Sequence, residues 1–247
     1  MITELFLKGR LRQELSAAEK SVIEQSISRT ITLGPRETFI DAGQRLENSY
    51  YLVEGQMLRY VDDPRGVRQL VHISVPGDFV DLHGYAMKRL DHDLGTLTEC
   101  TLAEFPHEAL SAMFAGSARL MRAMWFSTLL DASMHREWIR ALNGLNSEAR
   151  LAHLIAELVE RMRLIGRFDG RALPIPLLQR DYANACGVSE VHCNRCFSNL
   201  RARGLITISR GGRLEVSDIE GLQQMAGFTG SYLYGGSSLD LDVMQDA

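Results

Sequence analysis

Five side chains within residues 179–197 are suited to reading the edges of base pairs. An arginine can donate to O6 and N7 of guanine, an asparagine can pair with adenine, and a glutamate can accept from cytosine. A valine can contact the methyl group of thymine. If Ser189 caps a helix that begins just after it, these side chains share the outward face of that helix. The predicted base-reading residues are Glu190, Val191, His192, Asn194 and Arg195.

A second set of polar side chains flanks this face in the sequence and is suited to phosphate. Phosphate contacts fix the register of a protein on a duplex, and arginines, hydroxyls and amides make most of them. Arginines at the end of the predicted helix and in the hairpin after it have suitable positions. The predicted phosphate-contacting residues are Gln179, Arg180, Ser189, Arg201, Arg203, Arg210 and Arg213.

The distribution of charge favours an anionic partner although the whole chain is acidic, with a formal net charge of −4. Residues 140–213 contain twelve arginines and no lysine against six acidic residues, a formal charge of +6 that leaves −10 for the remainder. A basic module inside an acidic protein attracts phosphate locally. A merely solvated charged face is the alternative interpretation.

The elements that position these side chains are indicated by the residues between them. A helix-turn-helix needs a small residue where its helices cross and a glycine in its turn, and Ala183 and Gly187 meet these needs. Inward positions are predicted for Tyr182, Cys186, Val188, Cys193 and Cys196. Two short strands, Ile206–Ser209 and Arg213–Val216, would form a wing. A helix pair that only contacts protein is the alternative.

Residues 30–107 have the pattern of short strands. Their β-prone runs are separated by turn signals such as Pro76-Gly77-Asp78, which is typical of a compact β-roll. The predicted strands are Thr30–Leu33, Tyr50–Val53, Met57–Val61, Gln69–Ile73 and Thr101–Phe105. Residues 1–25 are predicted to be a helical lead-in.

A long helix is predicted from about Glu108 to Asn143, where semi-apolar positions recur every three or four residues. One stripe is predicted to contact a second copy of the chain and consists of Met124, Ser127, Asp131, Met134 and Trp138. The stripe beside it consists of Met121, Trp125, Thr128, Ala132, His135, Ile139 and Leu142. A helix with two such stripes packs on its own domain and on a partner. An ordinary core helix is the alternative.

Three cysteines, Cys186, Cys193 and Cys196, lie at inward positions of the predicted helix pair. Buried cysteine behaves as a small hydrophobe, so core packing is the predicted role. Redox sensing is the alternative, because oxidation there would disturb the base-reading helix.

A crowd of potential metal ligands follows the Pro76-Gly77-Asp78 turn, namely Asp81, His83, Asp91, His92 and Asp93. Oxygen and imidazole ligands at such density can hold a metal. No repeated ligand spacing supports a metal, so a polar surface loop is predicted, with no metal and no cofactor.

A metal-dependent β-barrel enzyme with a DNA-binding-like appendage is a rival hypothesis. Such barrels gather histidines in close spacings, whereas His72, His83, His92 and His107 are scattered. No nucleophile and base stand together, so the chain is predicted not to be an enzyme.

Composition narrows the class of protein. Apolar residues make up 45% of the 247 residues, which is enough for a buried core. No apolar run reaches the roughly 18 residues of a membrane span, and the first residues lack the pattern of a signal peptide. Four cysteines do not indicate a disulfide framework. The sequence therefore predicts a cytoplasmic protein without membrane contact.

The order of these parts resembles the CRP/FNR superfamily of bacterial transcription regulators over nearly the whole chain. Pro76-Gly77-Asp78 is similar to the turn that marks the family's roll, and the long helix is similar to its dimerisation helix. The segment from Gly187 to Arg195 resembles its recognition helix, with Arg195 at the guanine-reading position. Arg203-Gly204-Leu205-Ile206 resembles its wing segment.

The resemblance implies an α+β fold with an N-terminal β-roll like a cyclic-nucleotide-binding jelly roll, a long dimerisation helix and a C-terminal winged helix-turn-helix. The expected domains are a sensor roll at 1–110, the dimerisation helix at 111–143, the DNA-binding domain at 144–228 and a tail at 229–247. The resemblance also implies a homodimer on a palindromic operator in double-stranded DNA, with half-sites one helical turn apart, and contact with RNA polymerase.

Two departures from the family pattern concern the operator and the effector. The glutamate that the family often has at Val191 stands one residue earlier, at Glu190. Leu82 takes the place of a ribose-binding glutamate, and His92-Asp93 takes the place of a phosphate-binding arginine-serine pair. Leucine cannot bond a hydroxyl and aspartate repels phosphate, so cyclic AMP is not the expected effector. Residues 1–99 contain no cysteine, so the iron–sulfur cluster of the oxygen-sensing branch is not expected either.

The sequence thus predicts a DNA-binding transcription regulator whose effector is unknown. A thiol-sensing regulator and the barrel enzyme stay open as alternatives. So does a regulator without a small ligand, controlled by its abundance or by a partner protein at the roll.

Overall fold

In a computed structural model that describes residues 1–10 and 15–235, two antiparallel sheets form the N-terminal half. Within these residues the half contains strands β1 (Arg29–Leu33), β2 (Thr38–Ile40), β3 (Asn48–Glu54), β4 (Met57–Asp62), β5 (Arg68–Ser74), β6 (Asp93–Thr96) and β7 (Cys100–Pro106). β7 lies between β1 and β3 in one sheet, and the other has the order β2-β6-β4-β5. All five predicted strands are present. β2 and β6 are additional, because three or four residues are too few to show an alternating pattern.

The two sheets pack face to face as a roll. Leu52 and Leu102 from one sheet share a core with Met57 and Leu94 from the other, and all four are fully buried. A second core lies between the β1-β7-β3 sheet and the helices around it. The inward side chains of both sheets therefore supply the apolar burial that stabilises the roll.

Two glycines allow the tight turns of the roll. Gly77, in the Pro-Gly-Asp turn, has φ +102°, and a Cβ there would lie 2.8 Å from the carbonyl oxygen of Leu5. Gly55, between β3 and β4, has φ +88°, and a Cβ would lie 2.3 Å from the carbonyl oxygen of Glu99. A side chain at either position would collide with backbone, so these turns require glycine.

The helices around the roll differ from the prediction in two places. They are α1 (Ala17–Gln25), α2 (Gly84–Met87), α3 (His107–Gly116) and α4 (Ala118–Gly144). Among the described residues of the lead-in, α1 is helical and residues 2–10 form turns, with Phe6 and Leu7 buried. The single helix predicted from residue 108 is divided at Ser117, which is extended (φ −152°) and caps α4 by accepting from the N–H of Leu120. The interruption went unpredicted because serine is tolerated inside helices as well as at their caps.

The C-terminal half contains α5 (Ser147–Leu164), α6 (Gln179–Cys186), α7 (Glu190–Ala202), β8 (Ile206–Ile208), β9 (Leu214–Val216), α8 (Ile219–Ala226) and a short 3₁₀ helix (Ser231–Leu233). The tail predicted from residue 229 is folded as far as it is described. Leu233 is fully buried, and the hydroxyl of Tyr232 donates to Glu157 at 2.7 Å. Residues 236–247 lie outside the described part. No helix in the described ranges has the length and apolar character of a membrane span.

Three ion pairs join the roll to the C-terminal half. Arg36 makes a two-pronged contact with Asp181 on α6, at 2.8 and 3.1 Å. Asp78 accepts from Arg161 of α5 at 2.7 Å. Glu54 pairs with Arg167, just after α5. The fully buried Arg161 in particular gives the two halves a fixed contact, because a buried charge that lost its partner would be costly.

Candidate nucleic-acid interface

The turn between α6 and α7 is held by backbone bonds and one arginine. Gly187 adopts φ +62°, and its N–H donates to the carbonyl of Asn184. The N–H of Val188 donates to the carbonyl of Ala183, which is buried at the helix crossing. Arg150 of α5 donates to the carbonyl of Cys186 at 2.9 Å. Hydrogen bonds from the turn itself and from α5 therefore fix the turn. The contact of Arg150 was not predictable from local sequence, because α5 is remote from the turn in the chain.

α7 begins where the sequence predicts and has a buried and an exposed face. The hydroxyl of Ser189 accepts from the N–H of His192 at 3.3 Å, which satisfies one of the free donors of the first turn. Cys193, Cys196, Phe197 and Leu200 point into the core. Four of the five predicted base-reading residues are exposed, and His192 is half-buried. The exposed four are Glu190, Val191, Asn194 and Arg195.

Val191 is notable on this face because it is a large apolar side chain that is 65% exposed. Its neighbours on the exposed face, Asn194 and Arg195, are polar. No intramolecular hydrogen bond of the Arg195 or Asn194 side chain is found in the described ranges, so these donors are open to a ligand. The face thus combines methyl groups, an amide and a guanidinium, which is the mixture that reads a major groove.

The predicted phosphate-contacting residues surround α7, and all seven are exposed. Arg201 and Arg203 end α7; Arg203 pairs with Glu148 of α5 at 3.3 Å. Arg210 and Arg213 lie in the turn between β8 and β9, where the backbones of Ser209 and Arg213 bond each other. Cations on both sides of the base-reading face can contact phosphates on both sides of a groove.

Gln179 and Arg180 begin α6 on its exposed side, next to the roll. Arg180 lines a groove of about 360 Å³ between α6 and β4-β5, together with Arg36 and Arg68. The adjacent Asp181 carries the ion pair with Arg36 and also accepts from the N–H of Leu178 at 2.7 Å. The start of α6 is therefore tied to the roll, a contact that sequence analysis missed because the two residues are far apart in the chain.

Two family descriptions match separate parts of the chain. Residues 30–117 match the cyclic nucleotide-binding domain, and residues 149–225 match the Crp-like helix-turn-helix domain. The matches cover the roll and the DNA-binding half in the order of the fold. The chain belongs to the CRP/FNR superfamily of transcription regulators.

Curated relatives of this CRP/FNR protein are regulators. The nitrogen fixation regulation protein FixK of Bradyrhizobium diazoefficiens is 26% identical over 200 residues, which cover 80% of this chain and 82% of FixK. The anaerobic regulatory protein of Haemophilus influenzae is 22% identical over 213 residues, which cover 86% and 82%. The CRP/FNR protein described here is a DNA-binding transcription regulator of this type.

Solved structures confirm the predicted α+β architecture. FixK2 from Bradyrhizobium japonicum superposes with a TM-score of 0.73 at 16% identity, over 85% of this chain and 98% of FixK2. The c-di-GMP responsive regulator CLP of Xanthomonas campestris gives 0.65 at 18% identity, over 81% and 99%. At such identities the likeness shows the fold and leaves the effector open.

Of the potential ligands after the Pro-Gly-Asp turn of this CRP/FNR roll, Asp91 is exposed, His83 and Asp93 are half-buried, and Asp81 and His92 are buried. The prediction of a surface loop is therefore wrong for Asp81 and His92. Asp81 is fully buried and accepts from the N–H of Tyr50 at 2.6 Å. Burial raises the pKa of Asp81 to about 7, against the opposing bond from Tyr50. His83 and His92 lie with ring centroids 5.2 Å apart, and burial lowers the pKa of His83 to about 4. Burial of these polar side chains is tolerated because hydrogen bonds and ring contacts satisfy part of their hydrogen-bonding capacity.

The residues aligned with the family's nucleotide ligands offer no anion site. Leu82 is buried in the core between the β1-β7-β3 sheet and the helices around it. The ring of His92 contacts Asp91 at 2.8 Å, and the carboxylate of Asp93 accepts from the N–H of Ala42 at 2.7 Å. A carboxylate at this point repels phosphate.

The three cysteines of the helix-turn-helix are buried, with 1 to 3% exposure. Burial raises the pKa of Cys193 to about 12 and raises that of Cys186 as well. A buried thiol is a poor nucleophile because the thiolate is the reactive form. The geometry favours core packing over the redox alternative.

The stripe of α4 predicted to contact a second copy faces the protein's own core. Met124, Met134 and Trp138 are buried, and Trp138 donates to Glu157 of α5 at 3.0 Å. Asp131 pairs with Arg59 of the roll. These residues are covered by their own chain, so they cannot be the surface left for a partner. The predicted helical period of α4 agrees with the structure. The period alone does not indicate which of the two apolar stripes packs against the core.

Proposed function

We propose that this regulator binds a palindromic operator in double-stranded DNA as a homodimer, with α7 of each protomer in the major groove. The observation that carries the proposal is the outward face of α7, where Val191, Asn194 and Arg195 are exposed together. Arg195 reads a guanine, and the cations of α7 and the β8-β9 wing hold the flanking phosphates. Two-fold symmetry of the protein requires two-fold symmetry of the site.

The proposed dimer contact is the second stripe of α4. Trp125 is 62% exposed and Ile139 is 59% exposed, although both are large apolar side chains. Met121, four residues before Trp125, and Leu142, three residues after Ile139, are also exposed, whereas Thr128, Ala132 and His135 between them are half-buried. Exposed apolar side chains at both ends of one face of a 27-residue helix are what two copies bury in a helix–helix seam. We therefore still propose a homodimer, with the second stripe of α4 instead of the first as its contact surface.

The proposed route of regulation runs from the roll to the helix-turn-helix. The ion pairs Arg36–Asp181 and Asp78–Arg161 link the roll to α6 and α5. A signal that moves the roll would therefore shift the position of α7. The signal proposed is not a cyclic nucleotide, since Leu82 and Asp93 cannot bind its ribose and phosphate. We further propose that the protein acts in the cytoplasm, as its sequence predicts, and that it contacts RNA polymerase, as the family resemblance implies.

The decisive experiment selects bound sequences from random double-stranded DNA and then measures the affinity of variants for the selected operator by fluorescence anisotropy. Arg195→Ala is expected to weaken binding by about 1–3 kcal/mol per half-site and to relax selectivity at one base pair. The matched control is Arg163→Ala, which removes an exposed arginine of α5 that pairs with Glu160. A selection that yields no symmetric sequence, or equal affinities for both variants, would contradict the proposal.

A further inference from the structure

Three potential metal ligands meet between the roll and the long helix. His72 lies on β5, whereas Asp131 and His135 lie one turn apart on α4. One donor atom from each of the three lies within 4.8 Å of the others. Nδ1 of His72 is 3.4 Å from Oδ1 of Asp131. In the described part of the chain, no other group of three His, Cys, Asp or Glu side chains converges in this way.

In the described part of the chain, one oxygen of the Asp131 carboxylate is hydrogen-bonded and the other is not. Oδ2 pairs with the guanidinium of Arg59, which is itself buried. Oδ1 is shut off from solvent, and although Nδ1 of His72 lies 3.4 Å away, Oδ1 has no hydrogen bond within residues 1–10 and 15–235. A buried carboxylate oxygen without a partner is costly, so the site lacks a ligand for it.

The surroundings provide space and orientation. A cavity of about 20 Å³ is lined in part by His72, Asp131 and Ser127. A space of this size holds one water molecule or one ion and excludes a larger ligand. The ring of His72 is held between His135 and Trp138, with centroid distances of 5.4 and 6.5 Å.

We propose that His72, Asp131 and His135 bind one divalent transition-metal ion. Two imidazoles and one carboxylate are a ligand set that suits first-row ions such as Zn²⁺, Co²⁺ or Fe²⁺. Small side-chain rotations bring the three donors to the roughly 2.0–2.2 Å at which zinc binds nitrogen and oxygen. The remaining coordination position falls to water in the cavity.

Arg59 has two opposite effects at this site. Its guanidinium fixes the carboxylate of Asp131 from the far side, as partners of metal ligands commonly do. Its positive charge also repels a cation, which lowers the affinity. The site is therefore expected to bind more weakly than a structural zinc site.

A metal here would join the roll to the helix that carries the exposed apolar stripe. His72 belongs to the roll, and the other two ligands belong to α4. Sequence analysis predicts no metal, because the ligand on β5 is remote in the chain from the pair on α4.

The test is a titration of the full-length, tag-free protein, stripped with a chelator, by Co²⁺ and by Zn²⁺. Calorimetry gives the stoichiometry, and visible absorption reports the Co²⁺ ligands. We expect one ion per chain in the wild type and an affinity at least about 100-fold lower in His135→Ala. His135→Cys should retain the ion and add an intense thiolate-to-cobalt band.

The matched control is the double variant His83→Asn/His92→Asn, which removes the other close pair of histidines and should leave the titration unchanged. Circular dichroism without metal confirms that each variant is folded, and His135→Cys decides the question if His135→Ala is not. The proposal is overturned if the wild type binds no ion at micromolar concentrations. It is also overturned if the His83/His92 variant loses the ion while His135→Ala keeps it.

Discussion

At the scale of single residues, Asp81 shows how burial changes the chemistry of a roll side chain. It is fully buried, one oxygen accepts from the N–H of Tyr50, and the other has no partner in the described ranges. Burial raises its pKa from an ordinary 3.8 to about 7. The protonated form is therefore favoured in the folded protein over a pH range in which the unfolded chain is ionised.

We predict that Asp81→Asn removes the contribution of this carboxyl group to the pH dependence of stability. Between about pH 4 and pH 7 the folded wild type retains a proton on Asp81 that the unfolded chain has lost, so this contribution to the free energy of unfolding falls as pH rises. Asparagine keeps the acceptor for Tyr50 and has no proton to lose. The free energy of unfolding of the variant should therefore gain on the wild type by on the order of 2 kcal/mol from pH 5 to pH 8.

Urea denaturation at several pH values measures this difference. His83, whose pKa is lowered to about 4 by burial, shifts stability in the opposite direction, but it is present in both proteins and cancels. Parallel pH profiles for the two proteins would show that Asp81 does not carry the effect.

At the scale of elements, α7 depends on its first turn. Ser189 accepts from the N–H of His192, and Glu190 adds a negative charge where the helix dipole is positive. The same turn carries the predicted base-reading side chains, so the cap fixes the element that recognition needs.

We predict that Ser189→Ala lowers the free energy of unfolding by about 1 kcal/mol, because an N-cap bond is lost. Ser189→Asn should restore most of the loss, since asparagine is an equally good cap. Ser198→Ala, on the exposed face of the same helix, is the matched control and should change stability by less than about 0.5 kcal/mol. Thermal and urea unfolding measure all three, and equal stability of the Ala and Asn variants at position 189 would rule out the cap.

At the scale of the whole molecule, the two apolar stripes of α4 differ in how far they are buried. Its buried stripe packs on the roll and on α5 through Met134 and Trp138. In the described part of the chain, Trp125 and Ile139 of the other stripe are exposed. In the proposed dimer, α4 would contact the roll on one side and the partner on the other.

We predict that Ile139→Asp converts a dimer to a monomer and weakens binding to a palindromic operator by at least about tenfold, because a charge cannot be buried in an apolar seam. Analytical ultracentrifugation measures the mass, and anisotropy measures DNA affinity. Val67→Asp is the control, since it places the same charge on an exposed valine of the β4-β5 hairpin. A dimer that survives Ile139→Asp would place the partner contact elsewhere.

Several features of this protein were determined by local sequence. The strands β1, β3, β4, β5 and β7 follow from β-prone runs between turn residues. The helix-turn-helix follows from Ala183, Gly187 and the period of α7, because each residue type meets a local need of backbone or packing. The exposure of Val191, Asn194 and Arg195 follows from the same period, so the candidate base-reading face was predictable in advance.

Tertiary structure alone decided the features that depend on residues distant in the chain. Asp81 and His92, predicted to lie in a surface loop, are buried, and the ion pairs of Arg36 and Arg161 join the halves. Burial also assigned the two stripes of α4, since a helical period defines faces without saying what covers them. His72 met Asp131 only because β5 packs against α4, and no local pattern records a contact between separate elements.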